Sequence, residues 1–155
     1  MGLFSFIKDA GKKLFGKEEA AVVAALPQAD QDVKIAEVLT RAAQNLGFKV
    51  ENLHIAVTNG TATISGHAAS QSEKEKIVLS VGNVDGVVAV DDQLTAEIPE
   101  PEARMYTVKK GDTLWKIAAE MYGNGARYPE VFEANKPMLK DADEIFPGQI
   151  LRIPG

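Results

Sequence analysis

The chain has 155 residues, of which 45% are hydrophobic and 25% charged, and its net charge is −5. This length accommodates two small domains of about 50–70 residues each, and the apolar content excludes a wholly disordered chain. Because the 17 Lys and Arg residues are scattered along the sequence, we expect no nucleic acid partner. The chain has no cysteine, which excludes disulfides and thiolate chemistry.

Residues 1–29 are predicted to form an N-terminal amphipathic segment followed by an alanine-rich, partly helical spacer. The sequence MGLFSFIKDAGKKLFG mixes lysines with apolar residues, three of them Phe, and Gly11 interrupts it. A short segment with a central glycine is a marginal helix, so we favour packing against the rest of the protein over burial in a membrane interface. The segment lacks the continuous apolar run of an export signal or a membrane span, which predicts a cytoplasmic protein without stable membrane insertion.

Residues 30–97 are predicted to form an α+β domain with the element order αββαβ. Apolar residues recur at helical spacing from Ile35 to Leu46 and mark the first helix. Ser70 and Glu73 form a capping box at the start of the second helix. A run of alternating apolar and polar residues after that helix marks the third strand. The domain should therefore consist of one sheet with helices on one face.

The first two strands of this domain are predicted to form a hairpin. Two runs of alternating apolar and polar residues flank Asn59-Gly60. A type I′ turn favours this residue pair because both central residues of the turn have positive φ. Pairing the strands about this turn places Ile55 opposite Ile64, so both strands present their apolar residues to one face.

Residues 98–103, IPEPEA, are predicted to be a Pro- and Glu-rich linker, because two prolines in six residues disfavour both a helix and a strand ladder.

Residues 104–155 are predicted to form a second domain with the order βααβ. Asp112 or Thr113 caps its first helix, and Pro129 lies in the first turn of its second helix. The predicted fold class is therefore α+β, with two successive small domains.

The two domains resemble two known families. Residues 30–97 resemble the BON family in their element order, in Gly66 at the end of the second strand and in Gly86-Val87-Val88 before the third. Residues 104–155 resemble the LysM family in YTVKKGDTLWKIA, MYG, EAN and PGQILRIP. BON domains are interaction modules without a common catalytic residue, and LysM domains usually bind N-acetylglucosamine-containing glycans. The resemblance places such a glycan groove at Gly111, Asp112, Thr113, Trp115, Ile145 and Phe146.

The whole chain resembles the family of bacterial cytosolic potassium-binding proteins. The resemblance is carried by MGLF and KDAG at the start, by QSEKEKI and VGNVDG in the BON-like region, and by VFEANKPMLK in the LysM-like region. It implies a monomeric cytoplasmic ion sensor, not an enzyme, that acts in K⁺ homeostasis and the stress response. Its ligand would be K⁺, with Rb⁺ or Cs⁺ able to substitute, and ion binding would tighten the arrangement of the domains.

Main-chain carbonyl oxygens are the expected ligands of this ion, because K⁺ is selected by neutral oxygens rather than by carboxylates. The end of a helix leaves such carbonyls without intrahelical partners, and the turn GNVDGV after the second helix is one such place. The N-terminal segment around Gly11 is another. As the resemblance implies, the ligands are the main-chain oxygens of Ile7, Ala10, Lys12, Gly82, Val84 and Val87.

Two other functions stay open. The first is an envelope adaptor that grips peptidoglycan through the LysM-like domain, and the second is a scaffold that binds a protein partner through the same groove. Other candidate sites are disfavoured. The acidic residues of 141–144 lack the spacing of a Ca²⁺ loop, and neither His54 nor His67 has a neighbour at metal-ligand spacing. Asp91 and Asp92 point to opposite faces of a strand, which disfavours paired acid–base catalysis.

Overall fold

The computed structural model describes residues 2–6, 11, 13 and 15–154. It contains a four-stranded and a two-stranded sheet, which confirms the α+β class. The elements in chain order are β1 (Gly2–Ser5), α1 (Lys17–Ala24), α2 (Gln28–Asn45), β2 (Val50–Thr58), β3 (Thr61–Ser70), α3 (Gln71–Gly82), β4 (Ala89–Ile98), β5 (Arg104–Thr107), α4 (Leu114–Tyr122), a 3₁₀ turn (Gly125–Arg127), α5 (Tyr128–Ala134) and β6 (Ile150–Ile153).

The four-stranded sheet has the order β1-β4-β3-β2, and α2 and α3 pack on it and on each other. The hairpin of β2 and β3 has the predicted register, with Ile55 opposite Ile64. Asn59 and Gly60 have φ values of 48° and 83°, as the predicted turn requires. The Ser70 hydroxyl accepts a hydrogen bond from the Glu73 N–H at 3.2 Å and caps α3. The predicted αββαβ order is therefore confirmed.

The N-terminal segment differs from the expectation because it begins as a strand. β1 pairs antiparallel with β4, with Leu3 opposite Asp91 and Phe4 opposite Val90. The sheet therefore has a fourth strand at its edge. Phe6 is buried and Phe4 is partly buried against the same core, so these two residues of the segment pack on the protein, whereas Leu3 is exposed. The spacer is also partly helical, as α1.

The second domain has the predicted order βααβ, with the short 3₁₀ turn added before its second helix. Thr113 caps α4 by accepting a hydrogen bond from the Lys116 N–H at 3.1 Å, and Gly123 ends the helix with a left-handed φ of 72°. β5 and β6 pair antiparallel beside the two helices. Ile117, Val131 and Leu151 lie at the centre of the core.

The two domains are in contact along α3 and β6. This contact places the end of α3, with its glycine-rich turn, between the first domain and the second. Among the residues that the structure describes, no helix is both long and apolar enough to cross a membrane.

Candidate ion-binding site

The turn that follows α3 is held in place by main-chain hydrogen bonds. Asn83 ends the helix, and its N–H donates to the Leu79 carbonyl at 3.0 Å. The Val87 N–H donates to the Val84 carbonyl at 3.1 Å. Gly86 has a φ of 98°, which a residue with a Cβ rarely adopts. The turn therefore leaves the helix with a defined path, and the carbonyls at the helix end carry partial negative charge.

The N-terminal segment lies directly against this turn at Gly11. A Cβ built on Gly11 would lie 2.5 Å from the amide nitrogen of Asp85, 2.6 Å from the carbonyl carbon of Val84 and 2.9 Å from the carbonyl oxygen of Asn83. All three are main-chain atoms, which cannot rotate away. The chain bends at Gly11, and glycine is required here because two backbones approach each other closely.

Phe6 makes a second contact between the segment and the turn. Its N–H donates to the Val88 carbonyl at 2.9 Å. Its ring lies against Gly82, where the ring atoms occupy the place that a Cβ would take. Phe6 is only 9% exposed, so its burial fixes the segment where α3 ends.

Lys13 makes a third contact, an ion pair between its Nζ and the Asp85 Oδ2 at 2.9 Å. The side chains are 78% and 27% exposed, respectively, so the pair adds little to stability. Its effect is local: the ammonium offsets the charge of the carboxylate that lies in the turn. A cation bound here would therefore be attracted mainly by carbonyl dipoles and only weakly by a net negative charge.

Three of the six predicted ligand residues, Gly82, Val84 and Val87, lie on this turn. The Val84 and Val87 side chains are buried in the core, so only their main-chain groups could bind an ion. No described residue donates a main-chain hydrogen bond to the carbonyl oxygen of Gly82 or Val87. The other three predicted ligand residues lie outside the described part of the chain: Ile7, Ala10 and Lys12.

A carboxylate or imidazole metal site is not found within the described residues. No group of three or more His, Asp or Glu side chains in that part of the chain is arranged to hold a metal ion. The turn instead presents main-chain carbonyl oxygens. Such oxygens suit a large monovalent cation better than a small divalent one.

The predicted glycan-groove residues Gly111, Asp112 and Thr113 form the turn between β5 and α4. The Asp112 carboxylate accepts hydrogen bonds from the Tyr106 hydroxyl at 2.7 Å and the Lys109 N–H at 2.8 Å. Burial by itself would raise the pKa of Asp112, but these hydrogen bonds and two nearby lysines lower it below its ordinary value. Burial and the Asp112 carboxylate in turn raise the pKa of Tyr106. These polar groups therefore hold the turn in shape.

The other groove residues lie in two places. The Trp115 ring packs on Gly125 of the 3₁₀ turn and is 56% exposed, so one part of the indole is available to a ligand. Ile145 and Phe146 line a cavity of about 580 Å³ between the two domains. Asn83 and Val84 line the same cavity, so the loop that carries Ile145 and Phe146 faces the turn that holds the candidate ion site.

Sequence reasoning missed the residues that join the domains. Arg152 of β6 and Glu75 of α3 form a buried ion pair at 3.0 Å, with side chains 8% and 4% exposed. The side chain of Asn83 bonds to the main chain of Ile150. In the sequence Asn83 has the pattern of a residue that ends a helix, and nothing in that pattern indicates a partner 67 residues away.

Comparisons with known proteins agree with this architecture. A BON domain matches residues 30–97, and a LysM domain matches residues 106–154. The chain is 46% identical over 154 residues to the potassium binding protein Kbp of Escherichia coli O6:H1, covering 99% of both chains. It is also 42% identical over 60 residues to the uncharacterized protein YqbP of Bacillus subtilis, covering 33% of this chain and 27% of that protein.

Proposed function

We propose that this chain, which belongs to the family of the potassium binding protein Kbp, binds K⁺ through main-chain carbonyl oxygens where its N-terminal segment meets the turn after α3. The ligands are the carbonyls of Gly82, Val84 and Val87 from the turn, together with those of Ile7, Ala10 and Lys12 from the segment. The protein acts as a non-enzymatic, monomeric K⁺ sensor in the cytoplasm, and Rb⁺ or Cs⁺ substitutes for K⁺.

The observation that carries this proposal is the contact of Gly11 with the backbone of the turn. Two stretches of main chain come together there without an intervening side chain. A shell of carbonyl oxygens around one ion needs such an approach, because a single turn cannot surround a cation with its own oxygens. Phe6 and Lys13 hold the segment in this position from both sides of the contact.

The charge of the turn favours a monovalent ion. The carboxylate next to the proposed carbonyls, that of Asp85, is paired with Lys13. Ca²⁺ and Mg²⁺ prefer several carboxylate oxygens, and the turn offers carbonyl dipoles instead. Since K⁺ is larger than Na⁺ and loses its water more readily, a shell of six carbonyls selects it without acidic ligands.

Ion binding should also change the arrangement of the chain. An ion shared between the segment and the turn is bound only when both are in place, so binding shifts the population toward the compact arrangement. The same turn contacts the second domain through Asn83. The proposal therefore includes compaction of the segment and both domains.

Titration of the protein with KCl at constant ionic strength, followed by amide NMR, tests the location of the site. We expect saturable shifts in residues 82–88 and in the N-terminal segment, the same shifts with RbCl, and none with NaCl. Shifts spread evenly over the surface, or equal shifts with Na⁺, would refute the proposed site.

Glycan binding through the LysM domain is the second candidate, favoured by the exposed indole of Trp115. Exposed aromatic rings stack on the apolar faces of sugars. Titration with a chitin tetrasaccharide, an oligomer of N-acetylglucosamine, tests this function by the fluorescence of Trp115, the one tryptophan of the chain. A saturable change that is lost on heating the domain to unfold it would support glycan binding, and an unchanged spectrum would exclude this ligand.

A further inference from the structure

The side chain of Asn83 joins the candidate ion site to the neighbouring domain. Its Nδ2 donates to the Ile150 carbonyl at 2.7 Å, and its Oδ1 accepts the Ile150 N–H at 2.8 Å. Asn83 is 5% exposed, so water competes little for these bonds. One side chain of the BON domain thus satisfies both main-chain polar groups of one residue of β6.

These bonds occupy the outer edge of β6, where the two-stranded sheet has no third strand. In a strand, alternate residues direct their N–H and C=O groups to opposite edges. β6 pairs with β5 on one side, and Ile150 and Arg152 face the other side. Asn135 bonds to Arg152 in the same way, at 2.8 Å to its N–H and 3.0 Å to its carbonyl. Two asparagine amides therefore take the place of a neighbouring strand.

The two asparagines belong to different domains. Asn135 follows α5 and belongs to the LysM domain itself, whereas Asn83 lies in the turn of the BON domain. The domains have a second link at the Glu75–Arg152 ion pair, which lies eight residues, or about 12 Å, back along α3. Polar side chains therefore hold the LysM domain at two places, one of which is in the candidate ion site, and Met105, Met138 and Ile150 also pack on the core of the first domain.

We propose that Asn83 is the positioning residue that couples ion binding in the turn to the placement of the LysM domain. The inference rests on the proposed K⁺ site. Asn83 lies between Gly82 and Val84, so an ion that fixes their carbonyls also fixes the direction of the Asn83 side chain. Both bonds to Ile150 are made only in that direction, and without the ion the LysM domain moves about the Glu75–Arg152 link.

Coupling of this kind is reciprocal. If K⁺ strengthens the bonds between Asn83 and Ile150 by some factor, then those bonds strengthen K⁺ binding by the same factor. Removing the Asn83 amide should therefore weaken K⁺ binding, although no atom of that amide touches the ion. A residue that only stabilised the fold would lower the melting temperature without this effect.

The test compares Asn83→Ala with Asn135→Ala in the full chain, because each change removes two hydrogen bonds between an asparagine amide and the main chain of one β6 residue. The chain has no cysteine, so cysteines introduced at the exposed Val33 and Lys110 carry a pair of dyes that report the distance between the domains. K⁺ affinity is measured by calorimetry. The change in resonance energy transfer between the two dyes is measured by comparing the protein without KCl and with saturating KCl. Asn83→Gln keeps a neutral amide with both a donor and an acceptor, which guards against a loss of folding.

For the unaltered protein we expect K⁺ binding and a K⁺-dependent change in energy transfer. Asn83→Ala should lower the K⁺ affinity about 5- to 150-fold and abolish the change in transfer. Asn83→Gln should show a smaller loss, and Asn135→Ala should keep both the affinity and the change.

The results separate the inference from the proposed function. If the unaltered protein does not bind K⁺, the proposed function fails and the coupling fails with it. If it binds K⁺ and Asn83→Ala retains both the affinity and the distance change, the coupling is refuted and the ion site stands. The coupling is also refuted if Asn135→Ala loses the response equally, since the effect would then come from general damage to β6.

Discussion

Replacing Gly11 with alanine tests whether the N-terminal segment must lie on the turn for the ion to bind. The added methyl group would lie 2.5 Å from the Asp85 nitrogen and 2.6 Å from the Val84 carbonyl carbon, where ordinary contact begins at 3.4 Å. Neither atom belongs to a side chain that could rotate away. The segment and the turn must therefore separate by about 0.9 Å.

The size of the effect follows from this overlap. Overpacking of a close contact typically costs about 1–3 kcal/mol. Because the ion is shared between the segment and the turn, we expect this cost to fall mainly on the K⁺-bound arrangement. K⁺ affinity should then fall about 5- to 150-fold, since each 1.4 kcal/mol corresponds to a factor of about ten.

Calorimetric titration with KCl, at an ionic strength held constant with choline chloride, measures this change. Gly16→Ala is the matched control, because Gly16 lies in the same part of the chain, has a φ of −65° and has no atom within 4 Å of an added Cβ. The control should bind K⁺ like the unaltered protein. Unchanged affinity in Gly11→Ala, or an equal loss in Gly16→Ala, would refute the reasoning.

Three further changes test the packing around the site and the domains. Gly82→Ala should displace the Phe6 ring, which occupies the place of the new methyl group, and lower the free energy of unfolding by about 1–3 kcal/mol in urea titrations. Glu75→Gln should cost about 3–5 kcal/mol by the same measurement, because it leaves the buried charge of Arg152 without its partner. Asp112→Asn should lower the melting temperature above pH about 4. The difference in melting temperature between the variant and the unaltered protein should shrink as pH falls through the lowered pKa of Asp112, because the carboxylate stabilises the fold only while it is ionised. A difference that grows in acid would contradict this.

The parts of the fold that depend on neighbouring residues could be predicted from the sequence. The pairing of Ile55 with Ile64 follows from the turn between them, because turn type and alternation together determine the register of a hairpin. The Ser70 cap of α3 and the Thr113 cap of α4 are equally local. These elements need no information about distant parts of the chain.

β1 could not be predicted in the same way, because its partner lies almost 90 residues further along the chain, with Leu3 opposite Asp91. The alternation that marks a strand is confined to Phe4, Ser5 and Phe6, which is too short to outweigh the lysines that follow. The sequence therefore predicts an amphipathic segment that packs on the protein, and it does not predict the strand.

In the candidate site too, some features follow from neighbouring residues and others depend on distant parts of the chain. Glycine content and the end of α3 indicate the turn, so the carbonyls of Gly82, Val84 and Val87 could be proposed from the sequence and its resemblance. The reason for Gly11 could not, because it depends on the approach of a second backbone. The role of Asn83 needs the position of β6, which only the packing of the two domains determines.

The most direct test of the account compares the full chain in KCl, NaCl and choline chloride at matched ionic strength, by melting temperature and small-angle X-ray scattering. A ligand stabilises only the state that it binds, so the account predicts a higher melting temperature and a smaller radius of gyration in KCl alone. The same melting temperature and the same radius in all three salts would contradict it.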